Sequence, residues 1–158
     1  MMYISCLIGF LIIFLYCIII SIKSKDIPNS ISQIIYSLNE KWKWTFTIVM
    51  FVVGFMIAPQ LIETIQNPLY KFLGFFTVLG IFGVGADPLV KGESNIAHYL
   101  SAIIMGISSQ IIVYMSMPQL LYLWIPYILY TLYESKSDKN MFLAEMVMLV
   151  SLGIVCLS

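Results

Sequence analysis

The chain has 158 residues, of which 61% are hydrophobic and 10% are charged, and its eight basic and eight acidic residues give a net charge of zero. A mean hydropathy of +0.97 excludes an ordinary soluble domain, in which about 25% of residues are charged. A neutral chain without a basic cluster is not expected to bind nucleic acid. We therefore expect a single membrane domain over residues 1–158.

Six apolar stretches are candidates for membrane-crossing helices, because about 17 to 25 residues span a hydrocarbon core of about 30 Å. They lie at about 3–22, 44–63, 69–86, 97–115, 118–133 and 140–157. The fifth is the weakest, since Pro118 begins it and Pro126 interrupts it, although membrane helices tolerate both positions. Its many tyrosines give it an interfacial character. The sequence predicts an all-α polytopic bundle of six transmembrane helices.

The longest hydrophilic segment, between the first and second stretches, predicts a short interfacial amphipathic helix at about 31–39. Ser30 and Gln33 have the spacing of a capping box. Apolar side chains then recur at helical spacing, at Ile31, Ile34, Ile35 and Leu38. Alternating lysine and tryptophan at 41–44 is typical of a membrane boundary.

Lysines are distributed unequally between the two sides of the predicted bundle. The connections after the first, third and fifth stretches contain Lys23, Lys25, Lys41, Lys43, Lys91, Lys136 and Lys139, whereas the other side has only Lys71. The positive-inside rule then predicts that these three connections face the cytoplasm and that both termini face outward. The expected location is the plasma or inner membrane of a bacterium.

Three ionisable side chains, Asp87, His98 and Glu145, are predicted to meet at one membrane face. Glu145 lies about 7–8 Å along its helix from Asn140, where an acid must be protonated or partnered because burying a carboxylate costs several kcal/mol. The three groups suit a general acid–base set, or a hydrogen-bond network that satisfies polar groups between helices. The sequence has too few histidines and cysteines near them for a zinc site, and no cofactor or metal is expected.

Small residues predict a close approach of the third and fourth helices. Gly80, Gly83 and Gly85 lie in the third stretch, and Ala102 and Gly106 have small-xxx-small spacing in the fourth. The three cysteines lie in apolar stretches and indicate no redox role.

Some short segments resemble a known family. They are Pro28-Asn29-Ser30-Ile31-Ser32, the glycine-rich Leu79-Gly80-Ile81-Phe82-Gly83-Val84-Gly85, and His98. Over about 21–115 the chain resembles six-helix membrane proteins of the damage-regulated autophagy modulator type, their relatives in GPI-anchor lipid remodelling, and uncharacterised bacterial proteins. The resemblance implies that Pro28, Ser30, Ser32 and His98 are shared positions on one membrane face, without assigning them chemistry. In the eukaryotic members these connections face the lumen, which is opposite to the orientation that the lysines predict.

The expected function is a non-enzymatic membrane module that binds lipid, a partner membrane protein or a second copy of itself through the face containing 28–36 and 87–98. Its candidate binding residues are Pro28, Ser30, Ser32, Tyr36, Lys91 and His98. Two alternatives are a lipid-modifying enzyme that uses Asp87, His98 and Glu145, and a transporter or channel subunit with Glu145 as a relay. A water-accessible cavity joining the three ionisable groups favours the enzyme, and a continuous polar path favours transport.

Overall fold

The computed structural model describes residues 1–24, 29–86, 96–134 and 139–158, and all regular secondary structure in these ranges is helical. The α-helices are α1 (Met2–Ser24), α2 (Lys43–Thr64), α3 (Lys71–Ala86), α4 (Ile96–Ser116), α5 (Trp124–Tyr133) and α6 (Asn140–Leu157). Short 3-10 helices occur at Ser32–Ser37, Glu40–Trp42, Pro68–Tyr70 and Pro118–Leu123. The predicted all-α class is confirmed.

Five helices in the described part of the chain, α1, α2, α3, α4 and α6, are long and apolar enough to cross a membrane. Their bounds agree with the predicted ones to within two residues, and they indicate an integral membrane protein. The fifth predicted span consists of the 3-10 helix Pro118–Leu123 followed by the ten-residue α5. Together these measure about 27 Å from their rises per residue, so the count of six crossings depends on this element.

The five long helices form a closed ring, because α1, α2, α3, α4 and α6 each pack on the next and α6 packs on α1. Helix α5 lies outside the ring against α6, and the 3-10 helix before it contacts α4 and α6. Buried side chains such as Phe46, Ile57, Leu61, Ile112 and Val155 pack in the interior of the ring. The outer faces are apolar as well, which suits helices that contact lipid.

Helix α6 runs in the same direction as α4. The Phe142 amide donates to the Asn29 carbonyl over 2.8 Å, so α6 begins beside the segment that follows α1. At its other end the Cys156 thiol is hydrogen-bonded to the Cys6 thiol of α1. We call the end that carries residues 29–42 the cap end and the opposite one the terminal end. Met117, just after α4, therefore lies at the terminal end, and Lys139, just before α6, lies at the cap end.

Helices α3 and α4 approach closely, as the small residues predict. A Cβ atom on Gly80 would lie 2.7 Å from both the Met105 Cβ and the Ser101 carbonyl oxygen. The Thr77 and Ser108 hydroxyls are hydrogen-bonded across the contact at 2.8 Å. Gly85 instead faces Met50 of α2.

The segment at 31–39, which the sequence predicts to be a short amphipathic helix, has 3-10 rather than α geometry. It forms the 3-10 helix Ser32–Ser37, while the predicted cap is present, because the Gln33 amide donates to the Ser30 Oγ over 3.1 Å. Ile31 is buried and Ile34 is 0% exposed, and both belong to the hydrophobic core. These isoleucines pack into the bundle, since residues three apart share one face of a 3-10 helix.

Candidate functional site

Glu145 faces the ring interior and joins residues 29–34, which we call the cap segment, to α6. Its carboxylate Oε2 accepts a hydrogen bond from the Ile31 backbone amide, and the Phe142 amide in the first turn of α6 donates to the Asn29 carbonyl. These two bonds of opposite sense hold residues 29–31 against the start of α6, where the first amides have no partner within the helix. The sequence predicts that Glu145 is protonated or has a partner, and in the structure its partner is the Ile31 backbone amide. A backbone amide is not revealed by side-chain chemistry.

Ser30 and Ser32 shape the cap segment. Their hydroxyls are hydrogen-bonded to each other at 2.9 Å, and the Ser30 Oγ also accepts from the Gln33 amide. Ser30 is buried, so it is not available to a ligand at the surface. Ser32 lines the cavity beneath the segment.

A cavity of about 50 Å³ lies at the centre of the ring, and both His98 and Glu145 line it. His98 is in the first turn of α4, with its Nδ1 atom buried and its ring edge-on to Tyr99 at a centroid distance of 5.8 Å. The other walls are mostly apolar and come from all five ring helices: Phe10, Ile13, Met50, Val53, Ile57, Thr77, Ile81, Val84, Ala102, Met105, Ser109, Met148, Leu149 and Leu152. Two of the three predicted ionisable groups therefore share one cavity.

The size of this central cavity limits its chemistry. A buried water needs about 15 Å³, so a few waters fit, whereas pockets for small molecules are usually about 300–1,000 Å³. Among the described residues, this volume holds water but not a lipid head group. Among the described residues there is also no group of three or more His, Cys, Asp or Glu side chains that could hold a metal ion.

Several predicted site residues cannot be compared with the structure. Pro28, Asp87 and Lys91 lie outside the described residues. The backbone of Tyr36 is in the 3-10 helix Ser32–Ser37, but its side chain also lies outside the description. Neither the proposed cluster with Asp87 nor the full binding face at 28–36 and 87–98 is tested.

A groove of about 590 Å³ separates α5 from α6. Its walls are largely apolar and aromatic: Leu123, Pro126, Tyr127, Tyr130, Lys139, Phe142, Leu143, Met146, Val147 and Val150. Lys139 is the charged residue among them and lies at the cap end, just before α6. Sequence reasoning missed this groove, although the tyrosines and prolines of the weak fifth stretch were a signal that α5 differs from the other helices.

Helix α5 is attached to the ring through its first turn. The Trp124 Nε1 donates to the Gln110 Oε1 of α4 over 2.8 Å, and the Gln110 Nε2 donates to the Ser151 Oγ of α6 over 3.3 Å. The remaining turns of α5 carry Tyr127 and Tyr130, which line the groove. The groove therefore extends from the Trp124 anchor toward Lys139 at the cap end.

A third cavity, of about 510 Å³, opens at the terminal end of the ring. We call it the vestibule. Its lining residues are Gln60, Glu63, Thr64, Ile65, Gln66, Asn67, Leu73, Ile112, Met115, Ser116, Met117, Val155 and Ser158. Glu63 is the charged residue among them, and the lining combines polar and apolar side chains.

Comparisons with known proteins leave the family open: no family model matches the sequence, and no curated protein or solved structure matches it. The resemblance to the autophagy-modulator and GPI-remodelling type therefore stays a prediction, and function must be inferred from the geometry of the chain itself.

Proposed function

We propose that the protein is a non-enzymatic lipid-binding module of a bacterial plasma or inner membrane, and that it holds one acyl chain of an anionic lipid in the groove between α5 and α6. The observation that carries the proposal is the size and lining of this groove. At about 590 Å³ it is within the usual range of ligand pockets, and such pockets are mostly apolar with a few polar groups that orient the ligand. The central cavity is below this range.

The length of the groove matches one leaflet. Its lining on α6 extends from Lys139 to Val150, which is about 16 Å at 1.5 Å per residue. Half of a hydrocarbon core is about 15 Å. An acyl chain that enters at the cap end would therefore fill the groove along its whole length.

The charge at the mouth of the groove favours an anionic head group. Lys139 immediately precedes α6, a position at which the helix dipole disfavours a cation. Its side chain lines the groove, and an ammonium group at this position attracts a lipid phosphate. The lysine asymmetry predicts that the cap end faces the cytoplasm, and anionic lipids are abundant in the cytoplasmic leaflet.

The proposal includes a sixth membrane crossing by Pro118–Leu123 and α5. It is supported by the parallel directions of α4 and α6, which require the chain between them to return across the bundle. Its length of about 27 Å, from the 3-10 and α rises, is close to the hydrocarbon thickness. With α5 crossing outside the ring, the groove opens to the bilayer from which a lipid would enter.

Lipid retention in native mass spectrometry tests the proposal. Val147 lines the groove, and Val147→Trp should fill it and lower the number of retained phosphatidylglycerol molecules. Ile154 is on the same helix, is 42% exposed and does not line the groove, so Ile154→Trp is the matched control. Lys139→Gln should reduce the preference for phosphatidylglycerol over phosphatidylcholine. Equal retention by the Val147→Trp and Ile154→Trp variants would contradict the proposal.

A further inference from the structure

The central cavity and the vestibule approach each other along the axis of the ring, on four helices at once. On each helix, a residue that lines the cavity is three or four positions from one that lines the vestibule. The pairs are Ile57 and Gln60 on α2, Thr77 and Leu73 on α3, Ser109 and Ile112 on α4, and Leu152 and Val155 on α6. One helical turn, about 5 Å, therefore separates the two spaces.

The layer between the two spaces is apolar. Ile57 and Leu152 face it from the cavity, and Leu73, Ile112 and Val155 face it from the vestibule. All five side chains are buried. A narrow apolar constriction of this kind closes a water path by excluding water, and it opens when water enters transiently. We call this layer the septum.

We infer that the ring is a gated proton pathway, in which protons enter from the vestibule, cross the septum along transient water and reach Glu145. Acidic side chains lie on both sides of the septum, with Glu63 in the vestibule and Glu145 in the cavity. The polar groups that line the cavity for water, which needs hydrogen-bonding partners when buried, are those of Glu145, His98 and Ser32. The Thr77 and Ser109 hydroxyls on the same wall already donate to the Leu73 and Gly106 carbonyls.

The size and lining of the central cavity favour a proton over a metal cation. A sodium or potassium ion would have to lose most of its hydration shell in a space of about 50 Å³ with mostly apolar walls, at a large desolvation cost. A proton moves between hydrogen-bonded waters and needs room only for the waters themselves. The pathway therefore excludes metal cations by dehydration.

Glu145 lies where the cavity meets residues 29–31 at the cap end, and in this proposal it is the group that takes up the proton. A hydronium ion in the cavity would transfer its proton to the Glu145 carboxylate and become water, and the carboxyl group would then release that proton to water on the cap side. The titratable groups around Glu145 are His98 of α4, which shares the cavity, and Cys17 of α1, which is close enough to interact with it electrostatically. The Ile31 amide from the cap segment holds the carboxylate in position.

The test is proton flux into liposomes that contain the purified protein and a trapped pH indicator, driven by a potassium gradient with valinomycin. Wild-type protein should conduct protons faster than empty liposomes. Ile112→Ser should raise the flux several-fold by wetting the septum, and Leu152→Ala is a second septum variant in case the first does not fold. Ile111→Ser is the matched control, since Ile111 is 39% exposed and lines neither space.

Glu145→Gln in the Ile112→Ser background should return the flux to the level of empty liposomes, because an amide cannot take part in the relay. Phosphatidylglycerol retention by the Ile112→Ser variant, measured in parallel, should match that of the wild type because Ile112 does not line the groove, so that the two proposals can fail separately. The proposal is overturned if wild-type flux equals that of empty liposomes, if folded septum variants conduct no faster than Ile111→Ser, or if Glu145→Gln has no effect.

Discussion

Helices α3 and α4 and helices α5 and α6 are both antiparallel neighbours, yet their contacts differ in kind. At Gly80 and Gly83 the contact between α3 and α4 leaves no room for even a Cβ atom. Between α5 and α6, in contrast, there is a groove of about 590 Å³. Lipid chains are as apolar as leucine, so helices in a membrane associate through close packing and hydrogen bonds. The α3–α4 contact meets that requirement by itself, and the α5–α6 contact leaves space that lipid is suited to fill.

The largest effect is expected from closing the space at Gly80. Gly80→Ala would bring a Cβ atom to 2.7 Å from the Ser101 carbonyl oxygen and 2.9 Å from the Met105 amide nitrogen, and backbone atoms cannot move aside cheaply. We expect a loss of about 1–3 kcal/mol, the usual cost of overpacking, as a lower melting temperature in detergent. Gly153→Ala is the control, because its nearest neighbour would be 3.5 Å away. Equal melting temperatures for the two variants would remove the distinction between the contacts.

A second prediction concerns the hydrogen bond between the Ile31 amide and Glu145 of α6. Glu145→Leu leaves the Ile31 amide without its acceptor, which should cost about 1–3 kcal/mol and loosen the cap segment. Glu145→Gln keeps an oxygen that can accept the same hydrogen bond, so its stability should stay close to that of the wild type. Melting temperatures and hydrogen exchange at residues 29–34 would measure both effects. If glutamine is as destabilising as leucine, the bond to Ile31 is not what stabilises the segment.

The smallest effect is expected where α5 is anchored. Gln110→Leu removes the acceptor of the Trp124 Nε1, and hydrogen bonds between membrane helices contribute about 0.6 kcal/mol on average. We expect little change in melting temperature but a shift in Trp124 fluorescence, measured with Trp42 and Trp44 replaced by Phe. Gln119→Leu, at an exposed position, is the control. An unchanged Trp124 spectrum would mean that α5 is held elsewhere.

The sequence predicts well what depends on local composition. Apolar runs give the five long helices, glycine spacing gives the α3–α4 contact, and an acid within an apolar run identifies Glu145 as a residue that needs a partner. The Ser30 cap was also predictable, since its donor is only three residues away.

Features that depend on distant packing were not predictable. Glu145 and Ile31 are 114 positions apart. Because a backbone amide does not depend on the identity of its residue, the sequence does not indicate which amide Glu145 will contact. The 3-10 geometry of residues 32–37 overrides an α-helical apolar pattern because Ile31 and Ile34 are drawn into the core. The groove depends on how α5 packs against α6, which no single stretch of sequence specifies.

Photocrosslinking with an anionic phospholipid that carries a diazirine on its acyl chain tests lipid binding in the α5–α6 groove most directly. In vesicles, we expect crosslinks concentrated on Tyr127, Met146 and Val147, and we expect excess phosphatidylglycerol to reduce them more than excess phosphatidylcholine. The exposed outer face of α1, at Leu11 and Ile18, gives the background of ordinary bilayer contact. Crosslinks spread equally over α1 and the groove, with no competition by phosphatidylglycerol, would contradict a specific lipid site.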